Sequence, residues 1–148
     1  MGNSEKQPWR DAPPASSKVV RSVMRAIRRR DTEPETALRR ALRRNGVRGY
    51  RIHRRTLPGR PDIVFSRKRV VIFVMGCFWH CCPKCKPSPP KTNTMWWKNK
   101  FRLTKQRDRK NRRLLESTGW HYVMFWECEI AKNVQQCVDV IAAILERS

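Results

Sequence analysis

The sequence is poor in acidic residues and contains no long apolar run. Its 148 residues include 12 Asp and Glu against 34 Lys and Arg, which gives a formal net charge of +22. A membrane-spanning helix needs about 18 consecutive apolar residues, and a secretory signal needs an apolar block near its start; the sequence has neither. We therefore expect an intracellular protein that works away from membranes.

The positive charge is spread along the whole chain rather than confined to one tail. Such a field attracts polyanions, which include DNA, RNA and anionic membrane surfaces, so charge alone selects the class of partner and not the function. Residues 1–17 combine prolines and small polar residues without an apolar period, which is typical of a disordered arm. The remaining residues, 18–148, are enough for one domain with a single core.

The six cysteines are unevenly distributed, and four of them are crowded into one short segment: Cys77, Cys81, Cys82 and Cys85. In a reducing compartment such crowding favours a metal site over disulfides. Cysteines this close could not all be bridged without strain.

One tetrahedral zinc needs four ligands, and the thiolates of Cys77, Cys82, Cys85 and the distant Cys128 can supply them. Four-sulfur coordination leaves no open position for water, so we expect this zinc to be structural. Cys81 and His80 are alternative ligands in the same segment. Cys137 is interpreted as a small buried hydrophobe on the last helix.

The apolar periodicity predicts the order αα-βββ-α-β-α, an α/β sandwich. The continuous apolar run at 70–74 indicates a central strand covered on both faces. Thr32 and Glu35 have the spacing of a capping box, with Pro34 in the first turn of that helix. The predicted helices are 18–30, 32–45, 95–115 and 134–145, and the predicted strands are 48–55, 62–65, 70–74 and 120–126.

Three short motifs carry more information than any single residue. Asp62 alone could be an ordinary turn residue. However, Pro-Gly-Arg-Pro-Asp at 58–62 is followed by Gly-Cys-Phe-Trp-His at 76–80 and Trp-Glu-Cys at 126–128. In this order the motifs closely resemble the very short patch repair (Vsr) endonuclease family, and the likeness runs from about Val20 to about Glu129.

The resemblance implies a restriction-endonuclease-like fold, a central mixed sheet flanked by helices with a structural zinc site. It also implies a Mg²⁺-dependent enzyme that nicks duplex DNA on the 5′ side of the T in T:G mismatches. These mismatches arise from deamination of 5-methylcytosine, and the nick initiates very short patch repair. We accordingly expect a monomer in the cytoplasm that is associated with the nucleoid. Mismatch-repair proteins are candidate partners.

The resemblance also assigns site residues. Asp62 matches the magnesium-binding aspartate, Val74 a backbone carbonyl on the metal, His80 a general acid or base, and Glu35 a carboxylate that helps to hold the hydrated metals. Phosphodiester hydrolysis needs such groups, since a metal offsets phosphate charge and histidine exchanges protons near neutral pH. Glu35 could instead only close its capping box. Met75 departs from the family, which often has His or Asp there.

Aromatic residues are expected to open the base stack at a mismatch, where insertion is least costly. By resemblance these are Phe78, Trp79 and Trp97, with Trp96 beside the last. Met24 matches a residue that enters from the minor-groove side, although a core methionine is an equal alternative. The basic residues of 98–113 are expected to contact phosphates.

Two other functions fit part of the sequence. A non-catalytic, zinc-stabilised nucleic-acid binding protein would explain the charge, the aromatic residues and the cysteines. It would have no need for Asp62 together with His80. An endonuclease of the same fold but different specificity is the second alternative.

Overall fold

The structure is a computed structural model, and it describes residues 31–148. The predicted arm at 1–17, the predicted first helix at 18–30 and Met24 lie outside the described residues. No helix within the described part of the chain is long and apolar enough to cross a membrane.

The described residues form three helices and four strands, in the order predicted from the second helix onward. This confirms the α/β class. The elements are α1 (Glu33–Arg44), β1 (Arg51–Ile52), β2 (Ile63–Phe65), β3 (Val70–Met75), α2 (Thr94–Ser117), β4 (His121–Trp126) and α3 (Glu127–Arg147).

The four strands form one mixed sheet in the order β1-β2-β3-β4. Strand β2 is antiparallel to both β1 and β3, whereas β3 and β4 are parallel. A parallel pair requires a crossover connection, and α2 lies within it. Met75 is paired with Trp126. The Gly-Cys-Phe-Trp-His motif at 76–80 and the Trp-Glu-Cys motif at 126–128 therefore begin at the same edge of the sheet.

The sheet is covered on both faces, as the apolar run in β3 predicts. On one face, Ile72 of β3 packs in a core cluster with Leu38 of α1 and Ile141 of α3. On the other face, Phe73 of β3 packs in a cluster with Leu115 of α2. The sheet therefore lies between α1 and α3 on one side and α2 on the other.

Two predicted elements differ from the structure by more than two residues at one end or both. The strand predicted at 48–55 is only Arg51–Ile52, because Gly49 (φ 84°) and His53 (φ 51°) have left-handed backbones on either side of it. The last helix begins at Glu127 rather than at 134. Asn133 within it has non-helical torsions (φ −158°, ψ 85°). This break interrupts the apolar period, so the period predicts only the part of the helix that follows Asn133.

The capping box predicted at the start of α1 is also wrong in its detail. Thr32 is the N-cap residue, but its side chain caps no backbone amide. Its hydroxyl instead donates to Glu35 Oε1 at 3.0 Å, while Glu35 Oε2 accepts from the backbone N–H of Asp31 at 3.0 Å. The hydroxyl is used as a donor because Glu35 is a buried carboxylate, 4% exposed, that requires donors.

The turn before β2 packs closely against Phe73 and Asn111 at Gly59. A Cβ at Gly59 would lie 3.1 Å from Phe73 Cε1 and 3.1 Å from Asn111 Nδ2, whereas one at Gly46 would meet nothing within 4 Å. Both glycines have positive φ, 74° and 72°. Each Ala variant should lose about 1 kcal/mol to the left-handed backbone, and Gly59→Ala about 1–3 kcal/mol more through overpacking. Urea unfolding of both variants measures the difference, and equal destabilisation would contradict the packing role.

Candidate active site and cysteine cluster

Asp62 joins the beginning of β2 to the end of β3. Its backbone N–H donates to the Ile72 carbonyl at 3.0 Å, and its carboxylate Oδ2 accepts from the Val74 N–H at 2.7 Å. The structure thus brings together Asp62 and Val74, the two residues predicted to hold magnesium. A tight turn precedes Asp62 and is closed by a hydrogen bond from the Arg60 N–H to the Leu57 carbonyl at 3.1 Å. This turn positions the carboxylate at this edge.

The environment of Asp62 disfavours its negative charge. Burial raises the pKa of the carboxyl group from 3.8 to about 7, and the Val74 N–H opposes this shift. The charge of Glu35 contributes to this rise, whereas electrostatic interactions with His53 and His80 oppose it. The half-buried Asp62 carboxylate and the buried Glu35 carboxylate therefore disfavour each other's charge, an effect that a bound cation would relieve.

Glu35 lies in the first turn of α1, inside a hydrogen-bonded network at the helix start. Besides its bonds from Thr32 and Asp31, it lies 3.9 Å from Arg39 Nη1. Donor atoms of Asp31, Glu35 and His53 all lie within 4.8 Å of one another, close enough to hold a metal ion. Arg39 Nη2, however, already contacts Asp31 Oδ1 at 2.6 Å.

His80 is held by the carboxylate of Asp108, a residue of α2 that lies outside the three motifs. Its Nδ1 lies 2.5 Å from Asp108 Oδ2, and the two side chains are 21% and 22% exposed. An ionised Asp108 keeps the proton on Nδ1, which leaves Nε2 as the nitrogen that can exchange a proton. A signal was available, since Asp108 is seven residues from both Phe101 and Leu115, the buried residues of α2. An acid on the inner face of a basic helix needs a partner.

The cysteine cluster, defined as Cys77, Cys82, Cys85 and Cys128, has the geometry of a four-sulfur metal site. Cys82 Sγ lies 3.8 Å from Cys128 Sγ, Cys85 Sγ lies 3.7 Å from Cys77 Sγ, and all four sulfurs lie within 4.8 Å of one another. Tetrahedral zinc with bonds of about 2.3 Å separates its sulfurs by about 3.8 Å. The thiols are not disulfide-bonded, so the cluster can hold a metal ion.

The alternative ligands lie outside this cluster. His80 is bonded to Asp108, and Cys81 has a left-handed backbone (φ 55°) beside it. At Cys82, burial opposes ionisation, but the backbone N–H groups of Cys85 and Lys84 lower the pKa of the thiol. Such donors stabilise a thiolate, the form that binds metals.

The cysteine cluster also fixes the loop that carries His80. The Cys82 N–H donates to the Cys77 carbonyl at 2.9 Å, closing the segment around His80. The Cys77 N–H donates to Glu127 Oε1 at 2.8 Å, at the start of α3. The loop is therefore tied to the junction of β4 and α3 by a hydrogen bond from its main chain to the Glu127 side chain, and Cys82 Sγ lies 3.8 Å from Cys128 Sγ at the same junction.

An aromatic cluster joins this loop to α2 and consists of Phe78 and Trp79 from the loop with Trp96, Trp97 and Phe101 from the helix. Neighbouring rings are 4.9–5.8 Å apart, mostly edge to face. Lys100 Nζ lies 4.9 Å from the Trp96 ring centre and 5.3 Å from that of Trp79. Four of the five rings are half-buried and only Phe101 is buried. Phe78, Trp79, Trp96 and Trp97 are the four aromatic residues that were predicted to contact DNA. The structure groups all four in this cluster.

Comparisons with known proteins show which family the sequence resembles. A family model described as DNA mismatch endonuclease Vsr matches residues 16–86. The DNA mismatch endonuclease Vsr of Escherichia coli K12 is 39% identical over 130 residues, which cover 87% of this chain and 83% of that protein. The Type II nicking enzyme V.XorIIP of Xanthomonas oryzae pv. oryzae is 39% identical over 111 residues, 75% of this chain and 81% of the relative.

A third relative, the Type II nicking enzyme V.NaeI of Lentzea aerocolonigenes, is 38% identical over 128 residues, 83% of this chain and 72% of its own length. These similarities extend well beyond the three short motifs from which the resemblance was inferred. The resemblance is thereby confirmed, and the chain belongs to the family of the DNA mismatch endonuclease Vsr.

Proposed function

We propose that the protein is a Mg²⁺-dependent endonuclease that nicks duplex DNA on the 5′ side of the T in a T:G mismatch. The mismatch would arise from deamination of 5-methylcytosine, and the nick would initiate very short patch repair. The observation that carries the proposal is the hydrogen bond from the Val74 N–H to the Asp62 carboxylate. Glu35 and His80 lie near enough to this carboxylate to shift its pKa, and Asp108 contacts His80. The family membership supports the same reaction.

The donor groups at this edge fit magnesium, which prefers oxygen ligands. The Asp62 carboxylate and the Val74 carbonyl would hold the ion, and Glu35 would hold its water ligands. When bound, magnesium offsets the phosphate charge and lowers the pKa of the attacking water. The raised pKa of Asp62 supports this assignment, because the metal-free site carries a carboxylate whose charge is poorly stabilised.

His80 would move the proton in this reaction. With Asp108 holding Nδ1, Nε2 would take a proton from the attacking water or give one to the leaving oxygen. Asp108 is then a positioning residue. Met75, which is buried in the core and 6% exposed, has a thioether side chain that cannot transfer a proton. His80 would therefore take this role without help from that position.

The remaining parts of the proposal concern DNA and zinc. The Phe78, Trp79, Trp96 and Trp97 rings would insert at the mismatch, where the base stack is weakest. Basic residues on the outer face of α2 would contact phosphates without reading sequence. The cysteine cluster would hold structural zinc, in a restriction-endonuclease-like fold. One active site suffices for a single nick, which favours a monomer. The monomer would work in the cytoplasm at the nucleoid. Mismatch-repair proteins are candidate partners there.

The relatives named Type II nicking enzymes favour a second candidate, the same chemistry at a different target sequence. Both candidates require Asp62 and the His80–Asp108 pair. A binding protein without catalysis requires neither, so these residues separate it from the two nicking functions.

The catalytic assignment is tested with end-labelled duplexes that carry one T:G pair or none. Wild type in Mg²⁺ should nick 5′ to the mismatched T, and Asp62→Ala should abolish the nick. His80→Ala should slow it about 100- to 10,000-fold, the usual contribution of a proton-transfer group, and Asp108→Asn should slow it less. Asp139→Asn, an exposed acid on α3, is the matched control and should be unaffected. Binding without nicking by wild type would favour the binding protein, and nicking by Asp62→Ala would contradict the site.

The charge of Asp62 predicts a pH-dependent stability in magnesium-free buffer. Because its folded pKa of about 7 lies above the ordinary 3.8, the folded state holds the proton more tightly than the unfolded state. This stabilisation is complete below about pH 4 and is lost as the pH rises through about 7.

Asp62→Asn cannot ionise, so it should raise Tm at about pH 8 and change it little near pH 4. Added Mg²⁺ should raise Tm at about pH 8 for wild type only. Thermal unfolding of zinc-loaded protein measures both effects. A variant Tm that follows wild type across the whole range would show that the carboxylate is not destabilised by burial.

Zinc binding is tested with two buried cysteines. Cys82→Ser should lose zinc and lower Tm strongly, because a structural zinc contributes directly to folding. Cys137→Ser, 4% exposed but outside the cysteine cluster, should keep one zinc per chain and lose only packing energy. Elemental analysis of the purified proteins measures the metal. Equal zinc content in both variants would rule out the four-cysteine site.

A further inference from the structure

His53 lies between the two elements that carry the candidate carboxylates. Its backbone N–H donates to the Asp62 carbonyl at 3.3 Å. Its imidazole Nε2 lies 3.1 Å from Asp31 Oδ1, immediately before α1. The residue thus connects the beginning of β2, through its main chain, with the beginning of α1, through its side chain.

Both ends of this connection have an unfavourable backbone. His53 has φ 51° and Asp31 has φ 52°, a region that costs an L-residue other than glycine on the order of 1 kcal/mol or more. Such conformations persist where the surrounding contacts enforce them. The His53–Asp31 contact joins the two residues directly and is one of these contacts.

The connection continues from Asp31 to Glu35. The Asp31 N–H donates to Glu35 Oε2 at 3.0 Å, so the position of Asp31 fixes that of the buried carboxylate. Arg39 Nη2 contacts Asp31 Oδ1 at 2.6 Å and supplies a positive charge to the same group. A guanidinium already occupies the place where a cation would bind, so this network acts as a support for Glu35 rather than as a metal site of its own.

We propose that His53 is a positioning residue that sets the separation between the Glu35 and Asp62 carboxylates. It thereby determines how well the site binds its divalent cation. The inference rests on the proposed function, since that function places the cation between these two carboxylates. The imidazole acts here as a hydrogen-bond donor to Asp31, a role that the side-chain amide of glutamine can also perform.

The test uses zinc-loaded full-length protein and two readouts: Mn²⁺ binding without DNA, followed by electron paramagnetic resonance, and the Mg²⁺ concentration for half-maximal nicking. His53→Ala should lower the Mn²⁺ affinity and raise the Mg²⁺ concentration for half-maximal nicking, each by about 10- to 100-fold, the usual effect of removing a group that orients a metal ligand. The maximal nicking rate at saturating Mg²⁺ should change much less. His53→Gln should restore most of the Mn²⁺ affinity. His121→Ala, an exposed histidine at the start of β4, is the control and should match wild type.

Asp31→Ala removes the same bond from its other end and covers the case in which His53→Ala folds poorly. It should weaken Mn²⁺ binding to a similar extent, and the double variant should be little worse than either single one. If wild type nicks but His53→Ala keeps its Mn²⁺ affinity and Mg²⁺ dependence, the inference is overturned while the proposed function stands. The inference is also overturned if His53→Gln is as impaired as His53→Ala. If wild type binds Mn²⁺ without nicking, the proposed function fails, and the Mn²⁺ affinities still decide the role of His53.

Discussion

The hydrogen bond from the Val74 N–H to the Asp62 carboxylate is the contact on which the candidate site depends. It holds an acidic side chain against the end of β3 at 2.7 Å, where burial works against its charge. The antiparallel pairing of β2 and β3 places Asp62 there, since Ile63 is paired with Ile72. A shift of this register by one residue would turn every side chain of β2 to the opposite face. The buried sequence of β2 and β3 therefore sets the position of the carboxylate as firmly as it sets the core.

The loop after β3 is ordered by different means. None of its residues, which all lie within the described part of the chain, belongs to the two core clusters that cover the sheet, whereas Cys77 and Cys82 are buried beside the other two cysteines of the cluster. Cys77 and Cys82 bracket His80, and a main-chain bond between them closes the segment. Asp108 reaches the ring from α2, so His80 is oriented from two sides by independent contacts. A metal bound to the four thiols would thus support catalysis through the geometry of this loop, without taking part in the reaction.

The sequence predicted those parts of the structure that repeat or that form motifs. The apolar run of β3 and the periodicity of α1 and α2 were sufficient to find these elements, because burial on a regular face leaves a regular pattern. The grouping of Cys77, Cys82, Cys85 and Cys128 followed from ligand chemistry. The spacing of Asp108 from Phe101 and Leu115 indicates the inner face of α2. The partners of Asp108 and His53 could not be predicted in the same way, because each contact joins elements that are distant in sequence. The two-residue length of β1 was missed for a related reason, since left-handed torsions at His53 leave no apolar signature.

The scarcity of acidic residues acquires a physical meaning once their positions are known. The chain has 12 of them, and four form the network around the candidate site: Asp31, Glu35, Asp62 and Asp108. Glu127 accepts a main-chain bond from the cysteine loop, and Glu129 pairs with Lys84 of the same loop. Carboxylates elsewhere on the surface would weaken the attraction of the protein for a polyanion. Half of the acids therefore lie where the fold or the proposed chemistry uses a negative charge, and the positive field over the rest of the chain is preserved for DNA.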